Sequence, residues 1–138
     1  MNEYTKQQIG SPSRDSFKRK HKDLCRTFYA CDIDFVFVTK SPHADIVCVI
    51  DYKKSLDEIT FSEVIAYNGL IRRGLPVYIV QGDVDTGRFT ISRYVGGHHA
   101  KPESKTIAVH ETKDWQAFSE WEKSVRDKYA NAFTSTNN

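Results

Sequence analysis

The sequence predicts an α/β domain, a mixed β-sheet with helices on its faces. Three observations carry this. Two neighbouring runs, 32–38 and 46–53, have strand periodicity and are joined by a short turn-rich loop. A helical run at 61–73 separates the second of these from another apolar strand, which permits a parallel crossover, right-handed by default. An aromatic stripe, Trp115, Phe118, Trp121, Val125 and Tyr129, recurs at helical spacing near the C-terminus and supplies one covering layer.

In chain order, positions 1–12 read as a loose leader. Ser11 or Ser13 is placed to cap a helix reaching about Arg26. That helix has a narrow apolar stripe (Phe17, Leu24, Cys25) and a basic face in Lys18, Arg19, Lys20, His21 and Lys22. The stretch 27–30 is expected to be extended. From Asp32 to Val38, Asp32, Asp34, Val36 and Val38 face one way and Ile33, Phe35 and Phe37 the other. Positions 39–44 form a loop. The run Ile46 to Lys53 is apolar on both faces until its end, as in a covered central strand.

A helix is expected from Phe61 to Arg73, buried through Phe61, Val64, Ile65 and Ile71 and stopped by Gly74 and Pro76. Strands at 75–81 and 88–95 flank the turn 83–87. Then come a loop at 96–104, a short edge strand at 106–110 and a helix at 114–130. Positions 131–138 are expected to be flexible. The whole, 1–138, reads as a single domain, since 138 residues suit one core.

The formal charge of +2 gives no global nucleic-acid footprint, so any basic surface must be local. The apolar runs are strand-sized, so no membrane span is expected, and the polar leader has no signal-peptide core. A cytoplasmic, intracellular setting is expected. Three cysteines, Cys25, Cys31 and Cys48, without CxxC spacing argue against a disulfide framework and a four-cysteine metal site.

The densest chemistry is Asp51-Tyr52-Lys53 at the end of the apolar run. An acid and a lysine two apart on a strand share a face. Antiparallel pairing across the 39–44 loop sets Asp34 opposite Ile50 or Asp51, so Asp34, Asp51 and Lys53 converge at one sheet end, with Asp32 as a spare acid. Asp34 and Asp51 are hard ligands suited to a divalent cation, and the Tyr52 carbonyl is a further candidate. Lys53 is placed to orient a water or meet developing phosphate charge. Lys54, Lys40 and the basic helix (Lys18, Arg19, Lys20) are candidates, nearby by charge, for gripping a phosphate backbone. A strand-end salt bridge explains the tripeptide without any catalysis.

These stretches, Cys31-Asp32-Ile33-Asp34-Phe35-Val36 and Val49-Ile50-Asp51-Tyr52-Lys53-Lys54, resemble the PD-(D/E)XK nuclease superfamily, and its RecB-like branch in particular. That branch carries a following helix with Gln-x-x-x-Tyr. Here the helix has Glu63-Val64-Ile65-Ala66-Tyr67, so Tyr67 fits and Glu63 departs, and Ile33 stands where the signature has proline. The resemblance spans about half the chain, from Tyr29 to Tyr94. It implies a restriction-endonuclease-like fold, Mg²⁺ or Mn²⁺ as cofactor, DNA as partner, and hydrolysis of DNA phosphodiesters. In that frame Asp34 and Asp51 bind metal and Lys53 serves catalysis. A phage, mobile-element or prokaryotic repair or defence role follows by analogy, as does a homodimer presenting two sites to two strands.

Glu63 and Tyr67 are accessory candidates with structural alternatives. Thr60-Phe61-Ser62-Glu63 has capping-box spacing. Tyr67, one turn on, either meets DNA or is semi-buried. Asp15, His21 and Asp23 are the local options for a further ligand on the first helix. His98-His99 lacks partner spacing for a metal site. The aromatic C-terminal stripe is core or a dimer interface. The expected function is a metal-dependent DNA nuclease, an endonuclease. The alternative is a non-catalytic nucleic-acid-binding or interaction module on the same fold, with RNA as another open substrate.

Overall fold

The computed structural model describes residues 12–25, 28, 30–40, 44–101 and 103–136, the last five as helical backbone alone. The expected leader before Pro12, the Ser11 cap, half of the extended stretch 27–30, the centre of the 39–44 loop and the final two residues lie outside the described residues. The chain divides into two compact units, Met1–Ala30 and Cys31–Asn138, where the sequence reads as one domain.

Among the described residues, the first unit contributes one helix, α1 (Pro12–Leu24). Proline suits a first helical turn because its missing N–H would have no partner there. Ser13 lies inside α1 rather than capping it. Asp15 in the first turn and His21 and Lys22 in the last complement the helix dipole. Phe17 stacks on His21, one turn away, with ring centroids 6.4 Å apart.

The second unit is a five-stranded mixed sheet in the order β1-β2-β3-β4-β5. Its strands are β1 (Phe35–Thr39), β2 (Asp45–Tyr52), β3 (Val77–Asp83), β4 (Arg88–His98) and β5 (Glu103–Glu111). The pairs β1–β2, β3–β4 and β4–β5 are antiparallel, and β2–β3 is parallel. Helix α2 (Phe61–Arg72) makes that parallel crossover, preceded by a short 3₁₀ helix (Leu56–Glu58). Helix α3 (Trp115–Thr136) closes the chain. The α/β class and mixed sheet stand as expected.

Strand β2 is buried from Val47 to Asp51, as its two-faced apolarity foretold. Its residues divide between two cores. Cys48 and Ile50 join Val80, Phe89, Ile91 and Trp121 on the α3 face. Val49 joins Val64, Tyr67, Val77, Ile79 and Tyr94 on the α2 face.

Several boundaries differ from expectation. Strand β1 starts at Phe35 rather than Asp32, which leaves Asp34 at its threshold. Residues 96–98, expected as loop, extend β4, and the edge strand β5 starts at Glu103. Inter-strand hydrogen bonding, invisible to local periodicity, sets those lengths. Helix α3 runs past Ala130 to Thr136.

The buried face of α2 also differs. Glu63, Val64, Tyr67 and Gly69 are buried, while Phe61 and Ile65, expected inside, are 48% and 46% exposed. The helix turns its polar residues inward because they find partners at the end of β2. Arg73 caps α2 and Gly74 follows at φ +83°, a conformation that favours glycine. Among the described residues, no helix is long and apolar enough to cross a membrane.

Candidate active site

The register of the β1–β2 pair runs Phe35 to Ile50. One step further, Asp34 meets Asp51. The two aspartates are tied to each other's strand: the Asp34 N–H donates to Asp51 Oδ1 at 2.6 Å, and the Tyr52 N–H donates to Asp34 Oδ2 at 2.8 Å. Asp51 lies on the α2 face, 1% exposed. Alternation then brings Lys53 to the same face, and its backbone N–H bonds the Val80 carbonyl on β3 at 2.9 Å.

Helix α2 meets these groups with Glu63 and Tyr67, four apart and so on one face. The Tyr67 hydroxyl donates to Asp51 Oδ2 and also lies 3.3 Å from Glu63 Oε2. Lys53 Nζ pairs with Glu63 Oε2. Glu63 also closes the capping box: its Oε1 accepts the Thr60 N–H at 2.9 Å, and the Thr60 hydroxyl accepts the Glu63 N–H at 3.2 Å. The two readings of Glu63, cap and site residue, are therefore both realised in contacts. One oxygen anchors the helix start and the other holds the lysine.

The electrostatics follow from burial and from like charges. Burial pushes the Asp51 carboxyl up, the neighbouring Asp34 charge adds to this, and hydrogen bonds from Tyr67 and the Asp34 amide pull it back. Burial also pushes Glu63 up, but hydrogen bonds from Lys53 and Thr60, with the lysine charge, hold it below the ordinary glutamate range. The Tyr67 hydroxyl is pushed far up, by burial and by its bond to Asp51, so it acts as a donor. Behind it, Tyr94 stacks edge-on at 5.2 Å and donates to Asn68 Oδ1, while Asn68 Nδ2 reaches the Gly97 carbonyl at 2.9 Å. This chain ties α2 to β4.

The sequence candidates thus separate. Asp34, Asp51, Lys53, Glu63 and Tyr67 come together. Tyr52 joins them through its N–H, while its phenol turns to the other face and donates to the Gly82 carbonyl at 2.8 Å. Asp32 is exposed outside β1. Lys54 is exposed beside the cluster in sequence, its N–H bonded to Glu58 Oε2. Lys40 follows the other end of β1, about 20 Å from Asp34 at the ordinary rise of an extended strand. That corrects the expectation of a nearby phosphate contact within one chain: the hairpin brings Asp51 back to Asp34 and carries Lys40 away. Lys18, Arg19 and Lys20 are exposed on α1, in the other unit. His98 and His99 stack on each other, and His98 Nδ1 accepts the Ala100 N–H.

Sequence reasoning missed Cys31 and Asn68. Burial pushes the Cys31 thiol up, and the charges of Glu63, Asp51 and Asp32 add to it, which puts it within electrostatic reach of the cluster. Its place three residues before Asp34 was the available signal. Asn68 had only its adjacency to Tyr67.

The donor set can be tested against a divalent cation. Among the described residues, no group of three or more His, Cys, Asp or Glu side chains stands together as a metal-binding set. Asp34 and Asp51 offer two adjoining carboxylates with lone pairs beyond those their hydrogen bonds use. Two carboxylates with water filling the remaining positions suit Mg²⁺. The cluster also holds three carboxylates (Asp34, Asp51, Glu63) against one ammonium (Lys53), an excess of negative charge that a cation would balance. Comparison with family models, curated proteins and solved structures finds no match.

Proposed function

We propose that this protein is a metal-dependent DNA nuclease of the PD-(D/E)XK type, acting as an endonuclease. The observation that carries the reading is the coupling of Asp34 to Asp51, with Lys53 beside them on the same sheet end. In this reading Asp34 and Asp51 hold Mg²⁺ or Mn²⁺. The cation, when bound, supplies charge stabilisation to a phosphate oxygen and acidifies a water. Lys53 aims its ammonium at the phosphate, where it orients the attacking water or meets developing negative charge. Glu63 holds Lys53 in place. Tyr67 fixes the rotamer of Asp51. Lys54 contributes backbone attraction at the rim.

A second reading draws on a specific observation. Lys53 is already paired with Glu63, and among the described residues every buried side-chain nitrogen or oxygen has a partner. A satisfied polar cluster of this kind also suits a non-catalytic nucleic-acid-binding or interaction module, in which it fastens α2 to β2. RNA is the other substrate class.

Cleavage of supercoiled plasmid and branched DNA with Mg²⁺ or Mn²⁺ separates the two. Asp34→Asn and Lys53→Met are the variants of choice, since Asp34 is exposed and methionine keeps the packing of the lysine stem. The nuclease reading expects nicking by the wild type and a loss of about 100-fold or more in both variants, as for removal of one transition-state charge contact. A folded, DNA-binding wild type that cuts nothing with either metal would overturn it in favour of the binding module.

A further inference from the structure

We propose that β1 is a self-complementary dimerisation edge, and that a second copy of this chain delivers Lys40 to the Asp34 end of the site. Among the described residues, strand β1 is the outer strand of the sheet, with β2 its neighbour on one side. Phe35, Val36 and Val38 are 59%, 49% and 65% exposed, and Ile46, paired with Val38 on β2, is 40% exposed. The strand Phe-Val-Phe-Val-Thr carries no charge and no proline, the usual guards of an exposed edge. The register shift in this hairpin skips Val47 on β2, so the alternation of β1 itself is unbroken.

The occupant is a second copy because the strand complements itself. Antiparallel pairing about a two-fold axis at Phe37 sets Val36 against Val38, Phe35 against Thr39 and Asp34 against Lys40, each twice by symmetry. Opposite charges face each other at both ends, and branched apolar side chains face each other within. Moving the axis to Val36 sets Asp34 against Val38 and pairs Lys40 with Asp32, three residues before β1, while moving it to Val38 sets Lys40 against Val36, so only the Phe37 axis pairs the charges that adjoin the strand. A groove of about 760 Å³ runs between β1 and α3, lined in part by Phe37, Thr39, Val47 and Val125. In the proposed register Phe35 of the second copy stands opposite Thr39 on that face and enters this groove.

The pairing also gives Lys40 a place. Within one chain it lies at the far end of β1 from Asp34. Across the dimer it comes directly opposite Asp34 of the other copy, so each site gains a cation at its rim and the two sites flank one continuous sheet. The role given to Lys40 rests on the nuclease reading, whereas the pairing does not.

Light scattering on the full chain, with circular dichroism to verify folding, tests the pairing without any cleavage assay. The wild type is expected at twice the 15.9 kDa chain mass. Val38→Lys, at an exposed position, should weaken association by about tenfold or more. Val36→Cys/Val38→Cys should form a disulfide-linked dimer on oxidation, beyond any formed by the wild-type cysteines. A monomeric wild type, or a dimer that Val38→Lys leaves intact, overturns the proposal, and a dimer without the 36–38 cross-link overturns its register. Cleavage by a monomer would refute the pairing and leave the nuclease reading standing. A cross-linked dimer that cuts nothing would do the reverse.

Discussion

Replacing Tyr67 by phenylalanine removes one hydroxyl from the centre of the cluster and little else. Tyr67 is 0% exposed, and its ring contact with Tyr94 survives in Tyr67→Phe. No sizeable cavity opens, so the cost is the lost bond to Asp51 and the poorer solvation of a buried carboxylate. A hydrogen bond to a charged acceptor contributes about 1.5–3 kcal/mol, and Asp51 keeps the Asp34 amide as a donor, so a loss of about 2 kcal/mol at neutral pH is expected.

The pH dependence has a definite sign. The Asp51 carboxyl is raised in the folded protein above its ordinary value of 3.8. Its contribution to stability is therefore greatest below that value and declines as pH rises through the folded pKa. The Tyr67 bond is one of the groups pulling that pKa down, so Tyr67→Phe raises it further and extends the decline to higher pH. The stability difference between variant and wild type should thus be larger at pH 7 than at about pH 3, below the ordinary aspartate value, where the raised carboxyl is protonated and only a neutral hydrogen bond of about 1 kcal/mol is lost. Urea unfolding at both pH values measures this, with an unchanged m-value licensing the comparison. A difference below about 0.5 kcal/mol at pH 7, or one that grows as pH falls, refutes the reasoning.

Two further predictions concern the same frame. Glu63→Gln removes the ion pair to Lys53 and should cost about 3 kcal/mol near pH 7, as expected when one partner of a buried pair is lost. Because Glu63 is held below its ordinary 4.5, its contribution is present above that value and lost as pH falls through the lower folded pKa, so wild type and variant should converge in acid, read by the same urea titrations. Gly87→Ala should cost more than about 2 kcal/mol in thermal or urea unfolding, because Gly87 sits at φ +79° and a Cβ there would lie 2.3 Å from the Trp115 nitrogen.

The parts of the fold that could be read from the sequence are those where local pattern and tertiary role coincide. Strand β2 is apolar on both faces and is buried on both. The Thr60–Glu63 spacing announced a cap and formed one. The loop between the first two strands fixed their register closely enough to set Asp34 against Asp51. Other features depend on partners distant in sequence. Glu63 and Tyr67 turn inward, displacing Phe61 and Ile65 to the surface, because Lys53 and Asp51 await them on β2. The length of β5 is set by β4, since beyond Thr106 its own side chains are all exposed and leave no alternation of burial to read. Lys40 was grouped with the site by charge alone, and only the direction of the hairpin shows that it leads away.

The central claim is that Asp34 and Asp51 form one seat for a divalent cation. Anomalous diffraction from a crystal soaked in Mn²⁺ tests it most directly. The account predicts a manganese peak contacted by carboxylate oxygens of both residues and absent in Asp34→Asn. A peak at Asp32 instead, or none at Asp51 in crystals whose dissolved protein cuts DNA with Mn²⁺, would contradict it.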